Sequence, residues 1–480
     1  MLAPRRPYWK RRATVVAMAE ADALISLPTD VLDEILTRIG LRDAVRTSAL
    51  SRAWRHRWEA LPSLDIYFPR LEEDEGAPKG LGAIDGILLR CPGRVRRFYV
   101  YLDELHAGRI HDWFLVLSRR GVETLDLSFI DCLPALPSSI FSCSRLTSLD
   151  LFACVIPHLP PGFQGFPELR KFTLINVRLH ENREYQLEEI IATSRSLEEL
   201  TLWDVDIPGE FTEWVVQAPN LRYLKIFSAQ DYGWNFVEVP LLDSAVIDIW
   251  DYLGDRDFSK FLTSFASITK LVLYTFNSPI NGANILETLS CTFVKLKNMR
   301  LYTHFCELPS ILSTFCLLRN APNLERLKIL IYNGEEQNFE ADREFQSAQC
   351  TNCTCANLQF VKMSGIHCHS NEMSFIELIL SKARLLRTLS ISHGERCSMS
   401  NEGAVKKLLN YKKASTHAEI LFKGKYSCFY VANFCCMVFI FQAMDLGISF
   451  QFLFSEFHVR FSQILLFSML RVWLTYSAMP

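Results

Sequence analysis

One phrase recurs along most of this 480-residue chain: an apolar residue, two of any kind, a second apolar residue, one of any kind, and a third. Leu146-Thr147-Ser148-Leu149-Asp150-Leu151 and Leu197-Glu198-Glu199-Leu200-Thr201-Leu202 are clear copies. Degenerate copies open at Val95, Val122, Leu146, Leu169, Leu197, Leu221, Leu242, Ile268, Leu296, Leu324, Leu358 and Leu386, with a mean step of about 26 residues. The copy at Leu242 is weak. A longer phrase, Ala218-Pro219-Asn220-Leu221 running on to Leu224, returns almost unchanged as Ala321-Pro322-Asn323-Leu324 running on to Leu327. A unit this short cannot bury its own apolar residues and hides them only against its neighbours. The spacing therefore predicts an elongated α/β stack with one short strand per repeat. The strands line up in a curved parallel sheet, with helices or irregular turns on the convex side. Such an array has no isolated catalytic core.

The period falls within the range of leucine-rich repeats, which the chain resembles over 91–349. Most copies lack the Asn of the standard repeat, and Cys154 is one of few matches to that position. Stacked strands bring equivalent outward positions into rows. The residue after the third apolar position gives Tyr101, Ser128, Phe152, Ile175, Trp203, Phe227, Asp248, Tyr274, Tyr302, Leu330, Ser364 and Ser392. Phe152, Trp203, Phe227, Tyr274 and Tyr302 form a candidate contact stripe, since binding energy concentrates on buried aromatic anchors. Two residues earlier, the later repeats carry Lys225, Arg300, Lys328 and Lys362. Together the rows suggest a groove for a partly acidic, partly apolar target. The structural alternative is that flanking loops cover these rings as ordinary packing.

Ahead of the array, residues 27–58 compress three helical patterns into a short span. Pro28 suits a first helical turn and Asp30 places a negative charge near the positive helix end. Val31, Leu32, Ile35, Leu36 and Ile39 share one face, Gly40 is a stop, and Leu41, Ala44, Val45 and Leu50 continue a short helix. Ser51 is placed to cap a third helix bearing Trp54 and Trp58, four residues apart and so on one side. So small a unit cannot bury all of these side chains, and part of the surface is expected to dock another protein. The run LPTDVLDEILTRIGLRDAVRTSALSRAWRHRW strongly resembles an F-box, here spanning 24–66. The resemblance implies a three-helix motif that binds the Skp-type adaptor of a cullin-RING ubiquitin ligase. Leu27, Pro28, Leu32, Ile35, Leu36, Leu41, Val45, Ser48, Leu50, Trp54 and Trp58 fall on the family's adaptor-contact or core positions. The basic-aromatic run 52–58 is read as a helix with one apolar and one solvated face, and no nucleic-acid partner is expected.

Charge, Gly and Pro mark 67–90 as a linker. Residues 350–422 resemble the FBD module that ends many plant F-box and leucine-rich-repeat proteins. Its matching stretches are Leu358–Ile366, Asn371-Glu372-Met373 with a helix through Leu380, Ala383–Ile391, Leu408–Ser415 and Ala418-Glu419-Ile420. Cys350, Cys353, Cys355, His367, Cys368 and His369 have metal-like spacing, but an intervening strand separates the two groups and no metal or other cofactor is expected. Nothing in the chain matches a P-loop, a zinc-protease helix or a nucleophile elbow, so the chain is read as a non-catalytic receptor subunit.

The remaining composition sets the compartment. The 15 Cys are odd in number and scattered without framework spacing, which reads as reduced thiols in the nucleus or cytoplasm. Arg5, Arg6, Lys10, Arg11 and Arg12 precede only a short apolar run. Residues 1–23 are therefore expected to be a disordered basic extension or a nuclear address, with Met18 as an alternative start. From 423 to 480 the character changes: ten Phe, few charges and an uncharged stretch at 426–444. That stretch approaches the roughly 20 residues that span a bilayer. The favoured reading is nonetheless a mispredicted exon or read-through, with a membrane anchor as the alternative. The expected function is recognition of a protein target for ubiquitination. A ligase-independent repeat scaffold or small-molecule-binding protein is the competing expectation.

Overall fold

The computed structural model describes residues 28–423 apart from internal stretches, of which 69–81, 275–288, 332–339 and 346–354 are the longest. Leu27, the basic extension, Cys350, Cys353 and the tail from 424 onward lie outside the described residues.

Two helices open the described chain, α1 (Thr29–Arg38) and α2 (Leu41–Arg46). The i, i+4 spacing of Leu32 and Leu36 turns both inward, and Ala44 packs with them. In place of the expected third helix at 51–58, the described residues of that span form a turn through Trp54–His56 and the start of a short 3-10 segment, Arg57–Ala60. Its bonds run three residues back, Arg57 N–H to the Trp54 carbonyl at 3.3 Å and Leu61 N–H to the Trp58 carbonyl at 3.3 Å. The tighter winding has a packing reason. Trp54 and Trp58 must both point inward before the chain enters β1 (Ser63–Phe68) a few residues later.

β1 is already part of the main sheet, pairing in parallel with β2 (Arg94–Leu102). Between them lies α3 (Gly82–Arg90), within the stretch read as linker. Its Ile84, Ile87 and Leu88 are buried, an apolar helical face that the neighbouring Gly-rich and acidic run had obscured. The chain continues through α4 (Ile110–Arg119), β3 (Thr124–Phe129), β4 (Ser148–Phe152), β5 (Lys171–Ile175), α5 (Gln186–Thr193) and β6 (Glu199–Trp203). Next come β7 (Trp214–Gln217), β8 (Tyr223–Gln230), β9 (Trp234–Val237), β10 (Ser244–Asp251), α6 (Phe258–Thr263) and β11 (Lys270–Tyr274). The last part holds β12 (Asn298–Thr303), α7 (Leu308–Arg319), β13 (Arg326–Ile331), β14 (Phe360–Ile366), α8 (Ser370–Lys382), β15 (Thr388–His393), α9 (Asn401–Asn410) and β16 (Glu419–Lys423). All of these strands except β7 and β9 form one 14-stranded parallel sheet in chain order, and β7 pairs with β9 in a separate two-stranded sheet.

The repeat phrase explains this regularity. All twelve opening positions from Val95 to Leu386 are buried, as are the second and third apolar positions, for example Leu149 and Leu151 or Leu327 and Ile329. Alternation along each strand sends the residues between them to the other face. The longer repeated phrase has its own cause. Asn220 Nδ2 donates to the Arg195 carbonyl at 2.7 Å, Asn323 to the Val294 carbonyl at 2.8 Å and Asn357 to the Pro322 carbonyl at 3.0 Å. Each clamps one turn of the stack onto the turn before.

The 350–422 segment extends the same sheet through β14, β15 and β16. Glu372 caps α8 by accepting the N–H groups of His367 (2.9 Å) and His369 (3.2 Å). Asn371 ties α8 to two distant loops, accepting the Ala341 N–H and donating to the Phe305 carbonyl. Cys355 and Cys368 are buried, and Cys368 Sγ lies 3.9 Å from His393 Nδ1. Among the described residues no group of three metal-ligating side chains converges. No helix of the described residues is long and apolar enough to cross a membrane.

Candidate interaction surfaces

The helical unit before the sheet divides its apolar residues into two sets. Leu32 (0% exposed), Leu36, Trp54 and Trp58 are enclosed, so these four shape the unit and cannot meet a partner directly. Arg57 sits over the Trp54 ring at 5.8 Å, and the Cys91 thiol from the next unit reaches the Trp58 carbonyl at 3.6 Å. Pro28, Ile35 (39%) and Leu50 (59%) are exposed, while Leu41, Val45 and Ser48 are half-buried. Val31 (40%) joins the exposed set. It lies four residues before Ile35 and so on the same stripe of α1. The sequence placed Val31 on the apolar face but left it out of the docking set. The i, i+4 spacing was the signal that could have included it.

The concave face of the sheet follows the expected register. Hydrogen-bonded pairing aligns Ser128, Phe152, Ile175, Trp203, Phe227 and Asp248 in one row. Further along, Tyr274, Tyr302, Leu330, Ser364 and Ser392 continue it. Its aromatic members touch: Trp203 stacks on Phe227 (centroids 4.8 Å, 21°), Phe227 meets Tyr274 edge-on (5.4 Å), and Tyr274 lies flat on Tyr302 (3.9 Å, 9°). Phe227 is itself only 5% exposed, because its neighbours in the row enclose it. It is a spacer in the stripe, contrary to its expected role as a contact. Trp203, Tyr274, Tyr302 and Phe152 remain half-exposed, and Phe152 stands two strands away from Trp203.

The cationic row divides similarly. Lys225 Nζ lies 4.8 Å from the ring centres of both Trp203 and Phe227, a double cation–π contact, and burial pulls its pKa below the ordinary lysine value. Arg300, Lys328 and Lys362 occupy one row on β12, β13 and β14 and are exposed. Partial burial and then the charges of Arg300, Lys362 and Arg326 pull the Lys328 pKa down. Arg300 reaches the Tyr302 hydroxyl at 3.5 Å, linking the two rows. Arg326 and Lys270 lie on the same face, one alternation further toward the strand starts. The sequence reading missed both, although applying the two-residue period once more would have found them.

Comparison with known proteins gives these surfaces a context. The sequence profile of the F-box domain matches residues 24–65. The profile described as "FBD-associated F-box protein At5g56370, LRR repeats" matches residues 110–329. F-box/FBD/LRR-repeat protein At1g13570 of Arabidopsis thaliana is 27% identical over 84% of this chain and 99% of its own length. F-box/FBD/LRR-repeat protein At1g51370 of the same plant is 24% identical over 78% of this chain and 89% of its own. FBD-associated F-box protein At5g38590, also from Arabidopsis, is 25% identical over 81% and 98%. Among solved structures, the LRR protein LIC12759 of Leptospira interrogans aligns with 13% identity and a TM-score of 0.29 over 74% of this chain and 94% of that one.

Proposed function

From an F-box followed by leucine-rich repeats of the FBD-associated F-box type, in a chain similar to plant F-box/FBD/LRR-repeat proteins, we propose a substrate receptor of a Skp–cullin–F-box ubiquitin ligase. The F-box docks on the Skp-type adaptor. The sheet holds a protein target within reach of the ubiquitin-loaded conjugating enzyme, and the 350–422 segment is the FBD module that closes the array. The receptor contributes proximity and orientation, with no covalent step of its own.

The observation that carries the docking half of this reading is the exposure of Val31, Ile35 and Leu50, with Pro28, on a unit whose other large apolar residues are buried or half-buried. Side chains of this kind each contribute about 1.5–3 kcal/mol when a partner covers them fully. In a pull-down with purified adaptor, Ile35→Asp with Leu50→Asp is expected to weaken capture by about 30-fold or more while the fold is retained. Target capture through the sheet is expected to persist in that variant. Failure of wild type and variant alike to bind adaptor would favour a ligase-independent scaffold.

A further inference from the structure

The outward positions of the five strands β11–β15 carry five cations, Lys270, Arg300, Arg326, Lys328 and Lys362, and no carboxylate. Over β2–β6 the outward positions mix signs, with four cations, Arg94, Arg96, Arg97 and Lys171, beside three carboxylates, Asp126, Asp150 and Glu199. The one-signed field is therefore a property of one half of the sheet and not of the chain, whose formal charge is −2.

The geometry concentrates this charge. Arg300, Lys328 and Lys362 are direct register partners on successive strands. Neighbouring strands lie about 4.8 Å apart, so the three side chains start within about 10 Å of one another. Partial burial first, and then their mutual repulsion, pull the pKa of Lys328 down. Cations gathered against partly desolvated sheet gain more from an incoming anion than isolated surface charges do. Lys270 leans toward Asp243 at 3.6 Å and Arg326 covers the Phe360 ring at 4.6 Å, so the outermost two are partly held. The row of three is the centre of the field. Beside it stand Tyr302 and Tyr274, then Trp203 with Lys225, a half-exposed apolar margin along one side.

We propose that the concave face of β11–β15 binds an acidic peptide segment of the target protein, with clustered Asp or Glu side chains over Arg300, Lys328 and Lys362 and a neighbouring apolar side chain against Tyr274 and Tyr302. The proposal rests on the receptor reading above and names the chemistry of what that receptor holds. A nucleic acid fits the face less well. Tyr274 and Tyr302 lie flat on each other at 3.9 Å, so their inner faces are already used and no slot between them admits a base. The cationic strip is also only four strands wide, β11 to β14, about 14 Å, too short to track an extended phosphate backbone for long.

The test uses the full chain and three fluorescent probes: a peptide of consecutive Glu residues followed by Leu and Phe, the same peptide with Lys replacing Glu, and an oligothymidylate of equal length. The Glu peptide is expected to bind at least about tenfold more tightly than the Lys peptide, with the preference fading as salt rises. Lys328→Glu with Lys362→Glu, both at exposed positions, is expected to lose about tenfold toward the Glu peptide and to shift preference toward the Lys peptide. Asp126→Asn in the other half of the sheet is expected to leave Glu-peptide binding unchanged. Unaltered Glu-peptide binding by the Lys328/Lys362 variant would overturn the proposal, as would oligothymidylate outcompeting the peptide. Because no adaptor is present in this assay, peptide binding without adaptor capture would remove the ligase reading alone. Adaptor capture without peptide selectivity would remove this one alone.

Discussion

The strands β2–β6 and β11–β15 obey one rule on their inner face and different rules on their outer face. Inside, Leu125, Leu127, Leu149 and Leu151 in the first group do the same work as Leu271, Leu273, Leu327 and Ile329 in the second. Outside, the first group mixes carboxylates with cations, and the second carries cations alone. The exits from the strands differ too. In the first group Ala153, Asn176 and Asp204 all take a left-handed conformation just after β4, β5 and β6, and each donates its N–H to a carbonyl of the next strand. In the second group, α7 and α8 carry the chain away from β12 and β14, as α4 does from β2 in the first. A two-residue alternation makes this separation possible. The stack fixes one set of residues and leaves the facing set free to specify a partner.

The most damaging way to break the comparison is at glycines that both halves use for close approach. Gly165 has φ +83° and a Cβ there would fall 2.5 Å from the Thr193 backbone; Gly365 has φ +78° and a Cβ would fall 2.5 Å from the Ile331 carbonyl oxygen. Neither neighbour can move without shifting main chain. Alanine at either site is expected to cost about 3 kcal/mol or more, combining strain at positive φ with backbone displacement. The effect should be local, because each repeat leans only on its neighbours. Hydrogen exchange should rise around β13–β15 in Gly365→Ala and around β4–β6 in Gly165→Ala. Uniform loss of protection across both halves in either variant would show that the stack unfolds as one unit.

A smaller effect separates the halves by pH. Burial, and then the charge of Asp150, pushes the Asp126 carboxyl up to about 7, with Lys171 opposing. Its ordinary value is 3.8, so between those two values the folded state holds a proton that the unfolded chain has released. Stability therefore falls as pH rises through that window, and the loss is complete above pH 7. Asp126→Asn should flatten this dependence and raise stability at pH 8 by on the order of 1–2 kcal/mol after allowance for solvent screening. Lys328→Met, where the cationic row is relieved instead, should leave the acid-side profile of β2–β6 as it was. Denaturant melts at pH 5 and pH 8, followed by exchange at β3 and β4, measure both.

Much of this division is legible in the sequence because it is one-dimensional. The twelve repeat openings and the register of the aromatic row follow from counting residues, and the sheet places each of them as counted. What the count cannot supply is enclosure. Phe227 has the same place in its repeat as Tyr302, yet neighbours on both sides cover it, and that depends on which residues flank it across strands. The same holds for the small helical unit. Leu32 and Ile35 both belong to one apolar stripe, and only the packing of Trp54, Trp58 and Ala44 decides which faces inward. The α3 helix was hidden for a different reason. It is only nine residues long, and the Glu, Gly and Pro residues just before it dominate the local window.

The finest test of equivalence between the two halves lies in the clamps between turns. Asn220 bonds back to the Arg195 carbonyl at 2.7 Å, and Asn323 to the Val294 carbonyl at 2.8 Å, from the same place in the same phrase. Asn323 has a second duty, because its side-chain oxygen accepts from Asn357 Nδ2 at 3.3 Å and so joins two successive clamps. Replacing Asn220 by Ala removes one hydrogen bond and replacing Asn323 removes two, all at exposed positions, a loss of about 0.5–1.5 kcal/mol in either case. Asn323→Ala should sit at the upper end of that range and loosen the turns on both sides of it, whereas Asn220→Ala should loosen only its junction with the turn before. Segment-resolved hydrogen exchange distinguishes these patterns. Equal, single-junction effects would mean that the Asn323–Asn357 contact carries no coupling, and that the two halves, different in their outward chemistry, are held together by independent identical clamps.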